Sequence, residues 1–266
     1  IPVEKQGAKI LYVPLAGAHT ILPPAVVFNA AKEDWTLSIF EAANYGVFLA
    51  DVNRAKQVAK RIVDEANRLG VKEIVIAECG HAYASYRWDV PNWFAGQFDF
   101  KVRSLIEVIA EYIQDGKIKI DPTAIPEGVT YHDSCNLARN GGLIEEPRFV
   151  LKNVVKDFRE MTPNRDEAIC CGGGGGLVAL AEYTDRRISA GKPKADQIKS
   201  TGAKVVVAAC ENCRLQIGDI NEHYNLNVKI TAITDLVVRA MRLPKPLPGM
   251  EAEHLFEEEE VAVVRG

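Results

Sequence analysis

At residues 203–214 the chain reads "AKVVVAACENCR", a short β-branched run ending at Cys210, and residues 71–82, "VKEIVIAECGHA", are built the same way around Cys79. Such runs are strand signals. Each follows a helical stretch. "DVNRAKQVAKRIVDEANRLG" (51–70) carries Ala55, Val58, Ile62, Ala66 and Leu69 at helical spacing, and "YTDRRISAGKPKADQIKSTG" (183–202) holds the equivalent place. Gly70 and Gly202 stand where a C-terminal helix cap belongs. The repeat reaches further back, since Asp51 of "LAD" (49–51) and Glu182 of "LAE" (180–182) each lie 28 residues before their cysteine. It also reaches forward: "FDFKVRSLIEVIAEYI" (98–113) matches "NLNVKITAITDLVVRAM" (225–241), each a strand leading into an amphipathic helix. Near the starts of the two copies, "AKILYVPLAG" (8–17) pairs with "GVTYHDSCN" (128–136).

Two copies of strand, loop and helix imply an α/β fold: two pseudo-symmetric, Rossmann-like halves, each a parallel sheet with flanking helices. The expected halves are 1–120 and 121–242, divided within the Gly-, Pro- and Asp-rich "DGKIKIDPTAIPEG" (115–128). Residues 243–266, with a proline cluster and then four glutamates, read as an extended acidic tail. In parallel sheets ligands gather beyond the carboxyl ends of the strands, which is where Cys135 and Cys210 fall.

A net charge of −4, with Lys and Arg spread among Asp and Glu, argues against a nucleic-acid surface. No apolar run approaches the roughly 20 residues that span a bilayer, and no signal peptide is visible. The expected location is cytoplasmic. The opening "IPVEKQ", without Met, reads as the start of a piece of a longer subunit. A chain this large does not need disulfide staples, so six cysteines point to a metal or redox site.

Five of them follow the pattern C-x34-C-C-x38-C-x-x-C: Cys135, Cys170, Cys171, Cys210 and Cys213. Adjacent cysteines bridge only through a strained ring. Zinc usually spaces its paired ligands more widely and uses four of them. Soft thiolates suit iron–sulfur clusters, in which neighbouring cysteines reach different irons. The five glycines after Cys171, Gly172 to Gly176, let backbone approach such a group closely, and their N–H groups can donate to its sulfides. A phosphate loop is the poorer reading of that run, because it lacks the Lys-Ser/Thr ending.

The segments "HDSCNLAR" (132–139), "CCGGGGG" (170–176) and "AACENCR" (208–214) resemble the cysteine-rich CCG domain of heterodisulfide reductase catalytic subunits. The resemblance implies a noncubane [4Fe–4S] cluster on the five cysteines, cofactor contacts from Gly172, Gly173 and Gly174, and reduction of a disulfide-type substrate. The first copy departs from the pattern. Ile39 and Phe40 stand opposite Cys170 and Cys171, Ala82 opposite Cys213, and "PLAGAHT" (14–20) has no cysteine; only Cys79 remains. One cluster is therefore expected. The chain so resembles the single-cluster branch that includes the K subunit of the membrane complex linked to dissimilatory sulfite reduction. That branch implies a trisulfide-bearing small sulfur-carrier protein as substrate. It also implies electrons from iron–sulfur or membrane cytochrome subunits, and a peripheral position on the cytoplasmic face of a membrane complex. The ferredoxin-like C-x-x-C-x-x-C segment usual in such subunits is not in this sequence.

Cys79, His81 and His132 complete the candidate catalytic set. Cys79 would accept substrate sulfur opposite the cluster, His81 would favour its thiolate, and His81 or His132 would supply protons. His19 is a weaker candidate of the same kind. Trp88 and Trp93, with Tyr83 and Tyr86, suggest either core packing or a docking lip. The rival reading of the whole chain is a non-catalytic zinc-binding or electron-relay subunit of a redox complex.

Overall fold

The computed structural model describes residues 1–14, 18–38 and 51–243. The residues aligned with Cys170 and Cys171, Ile39 and Phe40, and the acidic run after 243 lie outside the described residues. The first half runs β1 (Ile10–Val13), α1 (Leu22–Ala30), β2 (Trp35–Thr36), α2 (Val52–Leu69) and β3 (Glu73–Ile76). It continues with α3 (Gly80–Ala84), α4 (Val90–Trp93), β4 (Lys101–Ser104) and α5 (Leu105–Gln114). The second half follows with β5 (Val129–His132), α6 (Glu145–Val154), β6 (Phe158–Arg159), α7 (Thr184–Ala190) and α8 (Lys192–Thr201). It closes with β7 (Val205–Ala208), α9 (Glu211–His223), β8 (Lys229–Thr231) and α10 (Ile233–Ala240).

Each half builds a four-stranded parallel sheet, ordered β2-β1-β3-β4 and β6-β5-β7-β8. The two orders are the same under the repeat. In the second sheet Val129 pairs with Val205 and His132 with Ala208, so β5 and β7 end side by side. The strand runs are valine- and isoleucine-rich because helices cover both faces and leave no polar side.

Local chemistry sets the ends of the helices. Asp51 caps α2, accepting from the Arg54 N–H at 2.9 Å, and Gly70 closes it at φ +67. Ser104 and Glu107 form a reciprocal capping box at the start of α5. The expected helix over 183–202 is two helices, broken at Gly191. Pro193 sits in the first turn of α8, where its missing N–H costs nothing. A side chain at 191 would come within 2.7 Å of Ile220 and 3.1 Å of the Cys171 carbonyl, so the break lets the helices pass close beneath the cysteine loop.

One apolar core spans both halves, joining β1 and β3 to Val129, Tyr131, Val205 and Val207, with α5 packed on α6 and α10 on both α6 and α1. Strand alternation sends Val206, Ala208 and Cys210 to a second cluster with Met161, Ile198, Ile217 and Ile220. That face carries the cysteines.

Candidate metal centre

Three segments deliver the five motif cysteines. The first leaves β5 as His132-Asp133-Ser134-Cys135, where buried Asp133 accepts a bidentate pair of hydrogen bonds from buried Arg148 at 2.8 and 2.7 Å. The Arg165 N–H adds a bond to the same carboxylate at 2.8 Å. This fork fixes the loop against α6. Arg139 then ties it to the second segment, donating to the carbonyls of Asp166 and Ala168 at 2.9 and 3.0 Å.

The second segment holds Cys170 and Cys171. Its turn depends on Gly172, at φ +92, where a Cβ would lie 2.8 Å from the Gly191 N. Two glycines thus pass face to face. The third segment is the start of α9, with Cys210 at its N-cap and Cys213 in its first turn.

These cysteines meet around one cavity of about 190 Å³, lined by Cys135, Cys170, Cys171, Cys210 and Cys213 together with Gly173, Gly174, Gly175, His81 and Ser134. Cys171, Cys210 and Cys213 are buried, Cys135 is half-buried and Cys170 is exposed, so the opening lies on the Cys170 side. The Cys171 and Cys213 sulfurs are 3.5 Å apart. Gly172 does not line the cavity; its N–H donates to the Cys170 sulfur at 3.4 Å, and Gly175 takes the expected place in the wall.

The site divides its protons unevenly. Hydrogen bonds from Cys135 and Cys171 hold Cys170 well below the ordinary thiol range, helped by the Gly172 N–H. Cys210 is also held low, by Cys213 first, and then, against the opposing effect of burial, by the His81 side chain and the Gly80 N–H. Their donors move the other way. Cys171 is pushed up to about 12 by its bond to Cys170, and Cys135 and Cys213 are raised by their own thiol partners and by burial. Cys170 and Cys210 are thus the sulfurs that the site most favours as thiolates.

Cys79 stands elsewhere. It is 1% exposed, does not line the cavity, and caps α3 by accepting from the Ala82 N–H at 3.5 Å. Burial, with the neighbouring Cys210, pushes it up to about 12, so it is a thiol. The expectation of an open substrate-handling thiolate is corrected by that burial. His81 is half-buried and does line the cavity, but its side chain bonds to Cys210, not Cys79, and packs against Gly175, where a Cβ would lie 2.9 Å from Nε2. His132 is corrected as a proton supplier: it is 1% exposed, and burial, followed by the charge of Lys194, lowers it well below 6.5. It is a neutral imidazole away from the cavity wall.

His19 pairs instead with Glu211, 3.5 Å away. Tyr83 and Tyr86 are core residues, whereas Trp88 is 53% exposed and donates to the Asn140 carbonyl at 2.7 Å. The Asp133–Arg148 fork and the buried Lys194 escape a reading of the sequence. The visible signal for Arg148 is a charged residue among the apolar positions of "PRFVLKNVV" (147–155).

The donor set fits an iron–sulfur cluster. Five soft sulfurs around one cavity exceed what a single tetrahedral zinc takes up. Near them, His132 leaves both ring nitrogens, and Ser134 its hydroxyl, buried without a hydrogen-bond partner among the described residues. An unmet buried polar atom costs on the order of 1–3 kcal/mol, so such orphans beside a cluster of five cysteines fit a site whose bonding a bound group completes.

Residues 129–218 match the family model of the CCG cysteine-rich domain. The CCG segment contains all five cysteines. Over 91% of its length the chain is 28% identical to the Hdr-like menaquinol oxidoreductase iron-sulfur subunit of Archaeoglobus profundus, covering 52% of that protein. Over 80% of its length it is 28% identical to a subunit of the dihydromethanophenazine:CoB–CoM heterodisulfide reductase of Methanosarcina barkeri, covering 51% of it. The chain therefore spans about half the length of these curated relatives. Among solved structures, glutamate racemase of Campylobacter jejuni subsp. jejuni gives a TM-score of 0.38 at 14% identity, over 86% of this chain and 82% of that one, a likeness too slight to bear on chemistry. Residues 129–218 thus match the CCG domain, and the chain is similar to heterodisulfide reductase-type subunits. Among the described residues, no helix is long and apolar enough to cross a membrane.

Proposed function

We propose that this chain is the catalytic iron–sulfur part of an oxidoreductase that reduces a disulfide or trisulfide, with Cys135, Cys170, Cys171, Cys210 and Cys213 holding one noncubane [4Fe–4S] cluster. The carrying observation is that these five sulfurs line one cavity that opens beside exposed Cys170. The reaction class is reductive S–S cleavage, in which two electrons and two protons convert one S–S bond into two thiols. When bound, the cluster supplies the electrons and an iron that takes up substrate sulfur.

The chain's own residues do the rest. Cys170 and Cys210 are ready as thiolates, and loading the metal releases protons from Cys135, Cys171 and Cys213. Gly173, Gly174 and Gly175 keep one wall free of side chains, so substrate sulfur has room to enter. The Asp133–Arg148 fork holds Cys135 in register. The proposed substrate is carried by a small sulfur-carrier protein, as in the single-cluster branch. Electrons come from iron–sulfur or membrane cytochrome subunits of a complex that this chain joins on the cytoplasmic face.

One observation favours a second reading. A His132 nitrogen and the Cys171 and Cys213 sulfurs all lie within 4.8 Å of one another, a set that zinc accepts. Metal analysis and electron paramagnetic resonance on anaerobically purified protein separate the two. About four irons per chain and a paramagnetic reduced state support the cluster. A colourless protein with stoichiometric zinc refutes it and leaves a structural or relay subunit.

A further inference from the structure

His132 is a buried imidazole of the cysteine half to which the proposed reaction gives no work. It ends β5, pairs with Ala208 on β7, and so stands beside the strand that leads to Cys210. Its ring is 1% exposed, and neither nitrogen has a hydrogen-bond partner among the described residues. The two charged groups next to it are already engaged. Asp133 is held by Arg148, and Lys194 donates to Gln197 and contacts the Met161 sulfur at 3.6 Å. A ring nitrogen of His132 lies within 4.8 Å of both the Cys171 and Cys213 sulfurs, yet His132 is not part of the cavity wall. The ring therefore stands beside two of the sulfurs without forming part of the cavity wall.

We infer that His132 is a positioning residue whose unpartnered ring N–H donates, once the cluster is bound, to one sulfur of the Cys171–Cys213 pair and thereby raises the reduction potential of the group they hold. It is not a ligand itself, because five sulfurs already line the cavity and the imidazole stands outside that wall. A hydrogen bond to a metal-bound thiolate draws electron density off the sulfur and favours the reduced state. Burial strengthens the effect, since no water competes for the sulfur. Lys194, the other buried charge of this half, is turned to Gln197 and the Met161 sulfur and is not counted as a donor to the site.

The inference rests on the five-cysteine cluster reading, and the test separates the two. Iron-loaded wild-type chain, His132→Gln and His132→Leu are titrated with dithionite while the paramagnetic signal is followed, and iron is counted on the same samples. Both variants are expected to keep their iron. His132→Leu should be about tenfold harder to reduce, about 59 mV lower for a one-electron couple, with His132→Gln between it and wild type. Pulsed resonance on chain labelled with nitrogen-15 histidine does not depend on how the buried variants fold. A weak nitrogen coupling that persists in His81→Gln is expected from a hydrogen-bonded His132. Strong coupling with iron lost from both His132 variants would make it a ligand and overturn the inference, as would unchanged potentials or no coupling at all in an iron-loaded chain. A wild-type chain without iron refutes the cluster reading itself.

Discussion

Strands β3 and β7 end in the same way, each with a cysteine that caps a helix, yet the two ends do opposite work. Cys210 is held as a thiolate by Cys213, His81 and the Gly80 N–H, and it lines the cavity. Cys79 is a buried thiol bonded to the Ala82 N–H. The difference lies in the neighbours. Ala82 stands where the other half has Cys213, so the first half has no second sulfur to share a proton with. In exchange, the residue before each cysteine differs in the other sense: Glu78 in the first half, Ala209 in the second. Buried Glu78 accepts from the Ile233 and Thr234 N–H groups at 3.0 and 2.7 Å, capping α10 across the pseudo-symmetric interface. It also faces Arg214 of α9 at 3.7 Å. One half offers sulfur; the other grips the half that does.

The contrast can be broken first at Cys171. Cys171→Ser is expected to lose most of its iron and all turnover, by iron analysis and activity on one preparation; unchanged iron and spectrum would remove Cys171 from the ligand set. The grip comes next. Glu78→Ala leaves the Ile233 and Thr234 N–H groups without their buried acceptor, and Arg214 with Glu211 as its remaining carboxylate, and should cost about 2–4 kcal/mol, read from denaturant midpoints, whereas Glu78→Gln keeps an acceptor and should cost less. A loss under about 1 kcal/mol would show that Glu78 does not hold the halves together.

Gly191→Ala tests the close passage beneath the cysteine loop. The new methyl meets Ile220 and the Cys171 carbonyl, so a loss of about 1–3 kcal/mol together with lower iron occupancy is expected; the wild-type unfolding midpoint and occupancy would mean that the loop yields freely. The smallest effect belongs to Cys79→Ala. It removes a weak sulfur cap, should shift stability by about 1 kcal/mol or less, and should leave iron and turnover near wild type. Retained iron with collapsed turnover would return Cys79 to the substrate.

The repeat is legible in the sequence because its signals are local: β-branched runs, apolar residues at helical spacing, and Gly70 and Gly202 at their caps. The convergence of five cysteines also follows, since each lies just past a strand or, for Cys170 and Cys171, in the long loop between β6 and α7 of the same half. Side-chain direction is not legible. His81 and His132 sit next to cysteines in sequence, but one turns to Cys210 of the other half and the other turns inward beside the sulfurs. Those directions depend on contacts between residues far apart in the chain. The break at Gly191 does leave a trace, the Gly-Lys-Pro run at 191–193, which an apolar-period reading overlooks. Glu78 leaves one too, as a lone charge inside "VIAEC".

The bond from His81 and the Gly80 N–H to Cys210 also bears on how the protein matures. The segment with all five cysteines does not build the cavity alone, because His81, some 130 residues upstream of Cys210, forms part of its wall. A side chain at Gly80 would press within 3.0 Å of Asn136, beside Cys135, so the halves must close fully before that wall is complete. Cofactor delivery would then come after the two lobes dock, and a chain stalled with its lobes apart would be a poor acceptor for iron and sulfide.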